Sequence, residues 1–154
     1  MVMIPMVFLS CKSQKGVPST KGTAADQKTI NGAWTLNEVS YEGNSGTFKS
    51  VLFNDAAASC FEGSSWFFRN NNNTGSYTLA NKTGCPGGER FIRWSVLNTN
   101  QFQFKFIDSK YKDISGGVGY RMNIATLTDQ EMILKSNVSV DGESITIVYN
   151  FTKN

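Results

Sequence analysis

From residue 30 onward, apolar and polar residues alternate along most of this chain with a period of two, the spacing of strands that bury one face. The clearest case is Gln101–Ile107, where Phe102, Phe104 and Phe106 share a face opposite Gln101, Gln103 and Lys105. The last segment repeats it, with Ile145, Ile147, Tyr149 and Phe151 set against Thr146, Val148, Asn150 and Thr152. Val118–Leu127 collects Tyr120, Met122 and Ile124 on one face, and Glu131–Ser136 carries Met132 and Leu134. Upstream, Ile30–Tyr41, with Trp34, Leu36 and Tyr41, reads as the first strand. Thr47–Phe53 is a second candidate strand or an irregular segment leading to a turn. Ser65–Arg69 sets Trp66 and Phe68 opposite Phe67, and Ser76–Ala80 returns with Tyr77 and Leu79. Arg90–Leu97 pairs with Gln101–Ile107 in the same way.

The gaps carry turn chemistry. Asn70–Gly75, Asn98-Thr99-Asn100, Thr128-Asp129-Gln130 and Asp141-Gly142 join neighbouring strands, while Asn81–Glu89 and Asp108–Gly117 are longer loops. Asn54–Phe61 reads as one short helix, with Asn54 or Asp55 as its cap, alanines to favour it and Gly63 to end it. Eight or nine short strands in meander order must bury their apolar faces together. The pattern therefore predicts an all-β fold, an eight-stranded antiparallel up-and-down barrel with one short helix near 54–61. A two-sheet sandwich satisfies the same pattern. No strand–helix–strand units are seen, which disfavours a parallel sheet.

The first thirty residues follow a different rule. Residues 1–11 are almost wholly apolar and end at Cys11, too short a run to span a bilayer. Residues 12–29 are rich in Lys, Ser, Thr, Gly, Gln and Ala with no apolar periodicity, which predicts a flexible linker ahead of a domain at 30–154.

Composition narrows the function. A chain of 154 residues is one domain. Its net charge of +3 is scattered, with no basic cluster interleaved with aromatics, so nucleic acid is not an expected partner. It contains no histidine, which removes Ser-His-Asp and Cys-His catalysis and the commonest zinc ligand. Gly43-Asn44-Ser45-Gly46 is not a nucleophile elbow, and Gly84-Cys85-Pro86-Gly87-Gly88 lacks the Lys-Ser/Thr of a phosphate loop. Glu38, Glu62, Glu89, Asp108, Asp113 and Glu131 read as solvated surface. Asn-x-Ser/Thr triplets at Asn72, Asn81, Asn137 and Asn150 are expected by chance in so asparagine-rich a chain. No catalytic residue, metal site or cofactor is predicted, and the protein is not expected to be an enzyme. With Cys11 set aside, Cys60 and Cys85 remain. The hairpin of Ser65–Arg69 and Ser76–Ala80 between them would bring their ends together, so a Cys60–Cys85 disulfide is expected in an exported chain; two unrelated buried thiols are the other reading.

Two resemblances sharpen these expectations. Phe8-Leu9-Ser10-Cys11 resembles a bacterial lipobox, in which the cysteine becomes the lipidated first residue. That implies a signal remnant, lipidation at Cys11 and a domain tethered to a membrane of the cell envelope, the outer membrane by preference, facing the periplasm or the cell surface. Behind it, Gly32-Ala33-Trp34 opening the first strand, the near-continuous meander and Phe151-Thr152-Lys153 ending the last resemble the lipocalin-like lipoproteins of bacteria. The resemblance covers about residues 30–153 and rests on the family's Gly-x-Trp signature. It implies that Gly32, Trp34 and Lys153 close one end of the barrel, with the lysine over the indole in a cation–π contact. It also implies a cavity for a small hydrophobic ligand, a lipid or fatty acid, lined by Trp66, Phe68, Phe102, Phe104 and Phe106 together with Tyr120, Met122, Ile124, Ile147 and Tyr149. The rival expectation is a barrel filled by its own side chains, a structural or interaction module whose loops contact an envelope protein or glycan.

Overall fold

The computed structural model describes residues 22–43, 49–97 and 100–154. Cys11 and its apolar run, the tail up to residue 21, the Asn44-Ser45-Gly46 stretch and the Asn98-Thr99 turn lie outside the described residues.

Eight antiparallel strands close on themselves. In chain order the elements are α1 (Gly22–Ile30), β1 (Gly32–Glu42), β2 (Val51–Leu52), β3 (Ala56–Ala57), α2 (Ala58–Phe61), β4 (Ser64–Arg69), β5 (Thr74–Thr78), β6 (Glu89–Leu97), β7 (Gln101–Ile107), β8 (Tyr120–Leu127), β9 (Glu131–Val140) and β10 (Glu143–Lys153). From β4 to β10 each strand pairs with the next, and β1 completes the ring by pairing with β10 on one side and β4 on the other. This is the up-and-down barrel expected from the alternation. β2 and β3 form a separate two-stranded hairpin within the long β1–β4 connection.

The inward faces make one continuous core. Trp34, Phe61, Phe68, Tyr77, Trp94, Phe102 and Phe104 are its largest fully buried members. Each indole N–H finds an acceptor: Trp34 donates to the Ile30 carbonyl (2.7 Å), Trp66 to Ser64 Oγ (2.9 Å) and Trp94 to the Thr74 carbonyl (3.0 Å). A buried indole N–H left unpaired would cost roughly 1–3 kcal/mol, and among the described residues no buried side-chain nitrogen or oxygen lacks a partner. At Gly75, facing Phe68 across β4–β5, an added Cβ would come within 2.3 Å of the Phe67 carbonyl oxygen, so only glycine lets these strands pair here.

Four expectations need correction. The linker read over 12–29 is, for residues 22–29, part of helix α1. Its polar pattern hid it, because the helix is held by tertiary bonds. Gln27 Oε1 accepts the Val96 N–H (3.0 Å), and the terminal Ile30, read as the start of a strand, is fully buried. The strand alternative for Thr47–Phe53 fails over the described residues 49–53, which contribute only the two residues of β2, and residues 47–48 lie outside the described residues. The helix predicted over Asn54–Phe61 shrinks to α2, with Ala57 at its N-cap and no side-chain cap. Asn54 and Asp55 do not cap it, because Asn54 has a left-handed backbone (φ 51°) and Asp55 is drawn to Tyr77 and Arg90. Lastly, β9 runs to Val140 rather than Ser136, and β8 starts at Tyr120 rather than Val118.

Candidate functional site

The two ends of the barrel differ. At one end Trp34 is fully buried, and Lys153 Nζ lies 5.2 Å from its ring centroid while donating to the Thr29 carbonyl (2.8 Å). Gly32, at φ 122°, is where this packing is tightest; a Cβ there would sit 3.2 Å from Lys153 Cε. Helix α1 lies across this end through Ile30 and Gln27, and covers it with Trp34 and Lys153 packed beneath.

At the other end the β1–β4 connection folds over the mouth and inserts a side chain. Phe53 sits at the β2–β3 turn with a left-handed backbone (φ 53°) and is only 8% exposed. Its ring stacks on Tyr149 at 5.8 Å between centroids and meets Phe104 (4.9 Å), Tyr120 (5.3 Å), Phe61 (5.4 Å) and Trp66 (6.5 Å) edge-on. Four of those rings belong to barrel strands, Trp66 to β4, Phe104 to β7, Tyr120 to β8 and Tyr149 to β10. Polar contacts, two of them from the hydroxyls of cluster tyrosines, pin the turn. Asp55 accepts a hydrogen bond from Tyr77 Oη (2.7 Å) and is paired with Arg90 Nε (2.7 Å), and Tyr120 Oη donates to the Phe53 carbonyl (2.9 Å). Burial, followed by the Asp55 carboxylate beside it, holds the Tyr77 hydroxyl far above the ordinary phenol range. Tyr77 therefore stays a proton donor to Asp55 at any physiological pH.

The ten residues expected to line a cavity all face this interior. Trp66, Phe68, Phe102, Phe104, Met122, Ile147 and Tyr149 are buried, and Phe106, Tyr120 and Ile124 are half-buried and packed on the same core. They touch one another: Trp66 lies 6.1 Å from Phe104, Phe104 5.3 Å from Tyr120 and Phe68 5.6 Å from Phe102. Phe53, Tyr77 and Trp94 belong to the same core and were not singled out from sequence. Tyr77 and Trp94 alternate in the expected strands and were legible. Phe53 was not, because its inward position depends on a left-handed turn and on partners from other strands, among them Tyr120 and Tyr149 more than sixty residues away. Cys60 in α2 is bonded to Cys85 in the β5–β6 loop, fixing the chain just after the mouth hairpin to the far side of the β4–β5 hairpin.

A hollow of about 730 Å³ opens on the outer side of β6–β8. Asn73, Arg93, Trp94, Ser95, Gln103, Phe104, Lys105 and Arg121 line it, with Gly117 and Gly119 of the β7–β8 loop at its edge. No group of three His, Cys, Asp or Glu side chains converges to hold a metal among the described residues.

Three comparisons set this geometry among known proteins. The family model of a lipocalin-like domain matches residues 30–134. Among solved structures, bovine odorant-binding protein complexed with its natural ligand is 9% identical, with a TM-score of 0.46 over 93% of this chain and 77% of that one. A deswapped triple mutant of the bovine protein is also 9% identical, with a TM-score of 0.45 over 82% of this chain and 74% of that one. No curated protein matches the chain in sequence.

Proposed function

This chain belongs to the lipocalin-like domain family, and from that premise we propose that it binds a small hydrophobic molecule, a lipid or fatty acid, inside the barrel. The observation that carries the proposal is the origin of the central side chain. The lumen is lined by strands, but its middle is occupied by Phe53, which comes from a two-residue hairpin spanning the mouth. A ring delivered by a loop can be withdrawn without unpairing a barrel strand. A ligand would take its place among Trp66, Phe104, Tyr120 and Tyr149, gaining about 25 cal/mol per Å² of apolar surface buried, less the cost of expelling the ring. Binding rather than catalysis is the role supported, because the lumen is lined almost wholly by apolar and aromatic side chains.

The filled-core alternative also has an observation in its favour, since the lumen rings are in mutual contact with Phe53 in place. One experiment separates the two. The protein is purified from its host envelope, examined by native mass spectrometry, then delipidated and titrated with a fatty acid. A co-purifying lipid-sized mass, or saturable one-to-one uptake, supports the carrier. A ligand-free mass with no uptake of fatty acid or phospholipid makes the barrel a filled module.

We further propose that Cys11 is lipidated and tethers the domain to a membrane of the cell envelope, on the strength of the lipobox-like Phe8-Leu9-Ser10-Cys11. Incorporation of labelled palmitate that is lost in Cys11→Ala would support this, and labelling that survives the substitution would end it.

A further inference from the structure

The hollow outside the barrel has a charge arrangement that packing does not explain. Arg93 on β6 and Lys105 on β7 are direct cross-strand partners on the outer face. Arg121 on β8 pairs with Gln103, which puts it diagonally across from Lys105. Directly opposed residues have Cβ atoms about 4.5–5.5 Å apart and diagonal ones about 7–8 Å, and like charges so placed destabilise a sheet. The local compensation is partial. Lys105 is paired with Asp113 (2.8 Å), but Arg93 spends its guanidinium on the Tyr111 carbonyl (3.2 Å). Among the described residues neither arginine has a carboxylate partner.

These three cations surround a hollow of about 730 Å³ that also offers the Gln103 amide and the Ser95 hydroxyl, which are bonded to each other at 2.9 Å. Tyr111, whose carbonyl Arg93 holds, has a left-handed backbone (φ 66°), an uncommon state for a bulky residue, and its ring is exposed. Ile114 and Val118 of the same loop are exposed too. A cationic hollow beside an exposed apolar loop fits an oxyanion better than it fits solvent, because guanidinium forks match phosphate and carboxylate oxygens in pairs.

We propose that the outer face of β6–β7–β8 is a second binding site, separate from the lumen, for a phosphate group, carried either by a lipid headgroup or by a free phosphate. Arg93 and Arg121 supply the bidentate contacts and Lys105 supplies a third charge. The site is independent of whether the barrel holds an apolar ligand.

The test uses the full chain in 0.1 M salt, where non-specific surface attraction is screened beyond about 10 Å. Binding is measured to vesicles of pure phosphatidylcholine, to vesicles with a 30% share of phosphatidylglycerol and, by calorimetry, to inorganic phosphate. Three proteins are compared: the parent, the double variant Arg93→Gln/Arg121→Gln, and Lys49→Gln, which removes an exposed cation beside β1, across the ring from β7. Binding to the phosphatidylglycerol vesicles alone assigns a headgroup, and binding to inorganic phosphate assigns a free anion. In either case the double variant should weaken it at least tenfold while Lys49→Gln changes it less than twofold. No binding to either phosphate source overturns the proposal, as does equal loss in both variants or undiminished binding by the double variant. Circular dichroism of the variants checks the fold, which these outward-facing side chains should leave intact.

Discussion

Replacing Phe53 by alanine should move stability and ligand affinity in opposite directions. The ring is 8% exposed and touches five others, so its removal resembles a core truncation. Such Phe→Ala changes cost about 3–5 kcal/mol. The hairpin can relax into the space more readily than a barrel strand, which favours the lower end, about 3 kcal/mol. For a domain of this size that lowers Tm by roughly 6–12 °C. The same change removes what a ligand must displace. Expelling a buried phenylalanine ring costs roughly 1.5–3 kcal/mol, so abolishing the step should tighten an apolar probe by about 10- to 100-fold. The assay is a thermal melt beside a fluorescence titration with a fatty-acid probe, using Met132→Ala as the control. Met132 is fully buried and pairs with Phe151 near the sealed end, so that variant should be similarly destabilised without tighter binding. If both variants lose stability and neither gains affinity, Phe53 is an ordinary core residue and the removable-plug reasoning fails. If both gain equally, the probe reports loosening rather than a vacated site.

Three further outcomes are expected. Reducing the Cys60–Cys85 bond, which spans 25 residues, should cost about 3.5 kcal/mol on the chain-entropy model, read as a lower urea midpoint. Lys153→Met should cost about 1 kcal/mol through the lost contact over Trp34. It should also speed amide exchange in α1, because the lysine's bond to the Thr29 carbonyl goes with it. Burial raises the pKa of both Tyr77 and Tyr149 in the folded state, so each holds its proton more tightly folded than unfolded. The stability they contribute is complete below the ordinary phenol pKa of about 10 and falls as pH rises above it. A titration at 295 nm should therefore show Tyr77 ionising only as the protein unfolds and Tyr149 ionising above the ordinary phenol range; five ionising together in the folded state would contradict this.

What the sequence disclosed depended on whether a residue's role was local. Phe102, Phe104 and Phe106 announce their shared face by period alone, and the barrel follows from repeating that pattern. Trp34 and Lys153 were legible because a short motif at each end of the domain names them. Helix α1 was hidden because its polar surface has no stripe, and what holds it, the Gln27 bond to Val96, joins positions 69 apart. Phe53 was hidden for a similar reason, since a phenylalanine before Asn54-Asp55 reads equally as strand end or turn. The outer row was visible only in halves: Arg93, Lys105 and Arg121 each occupy a polar position of an alternating strand, but pairing register decides that they meet.

The ring closes by joining β1 to β10, the first and last strands of the barrel, with Trp34 opposite Lys153 and Thr35 Oγ1 reaching Asn154 across 119 positions of sequence. That seam cannot form until nearly the whole domain has been synthesised. Until then β1 and whichever strand is newest present unpaired edges, which are templates for other chains. The long-range pairing also makes closure late and slow relative to the local hairpins. A chain shortened by its final strand would keep an open β1 edge, and at high concentration an intact neighbour could fill it with its own β10. Assembly of this protein is thus exposed to strand exchange between copies at one identifiable joint, and conditions that delay the eleven residues of β10 are those under which it should aggregate.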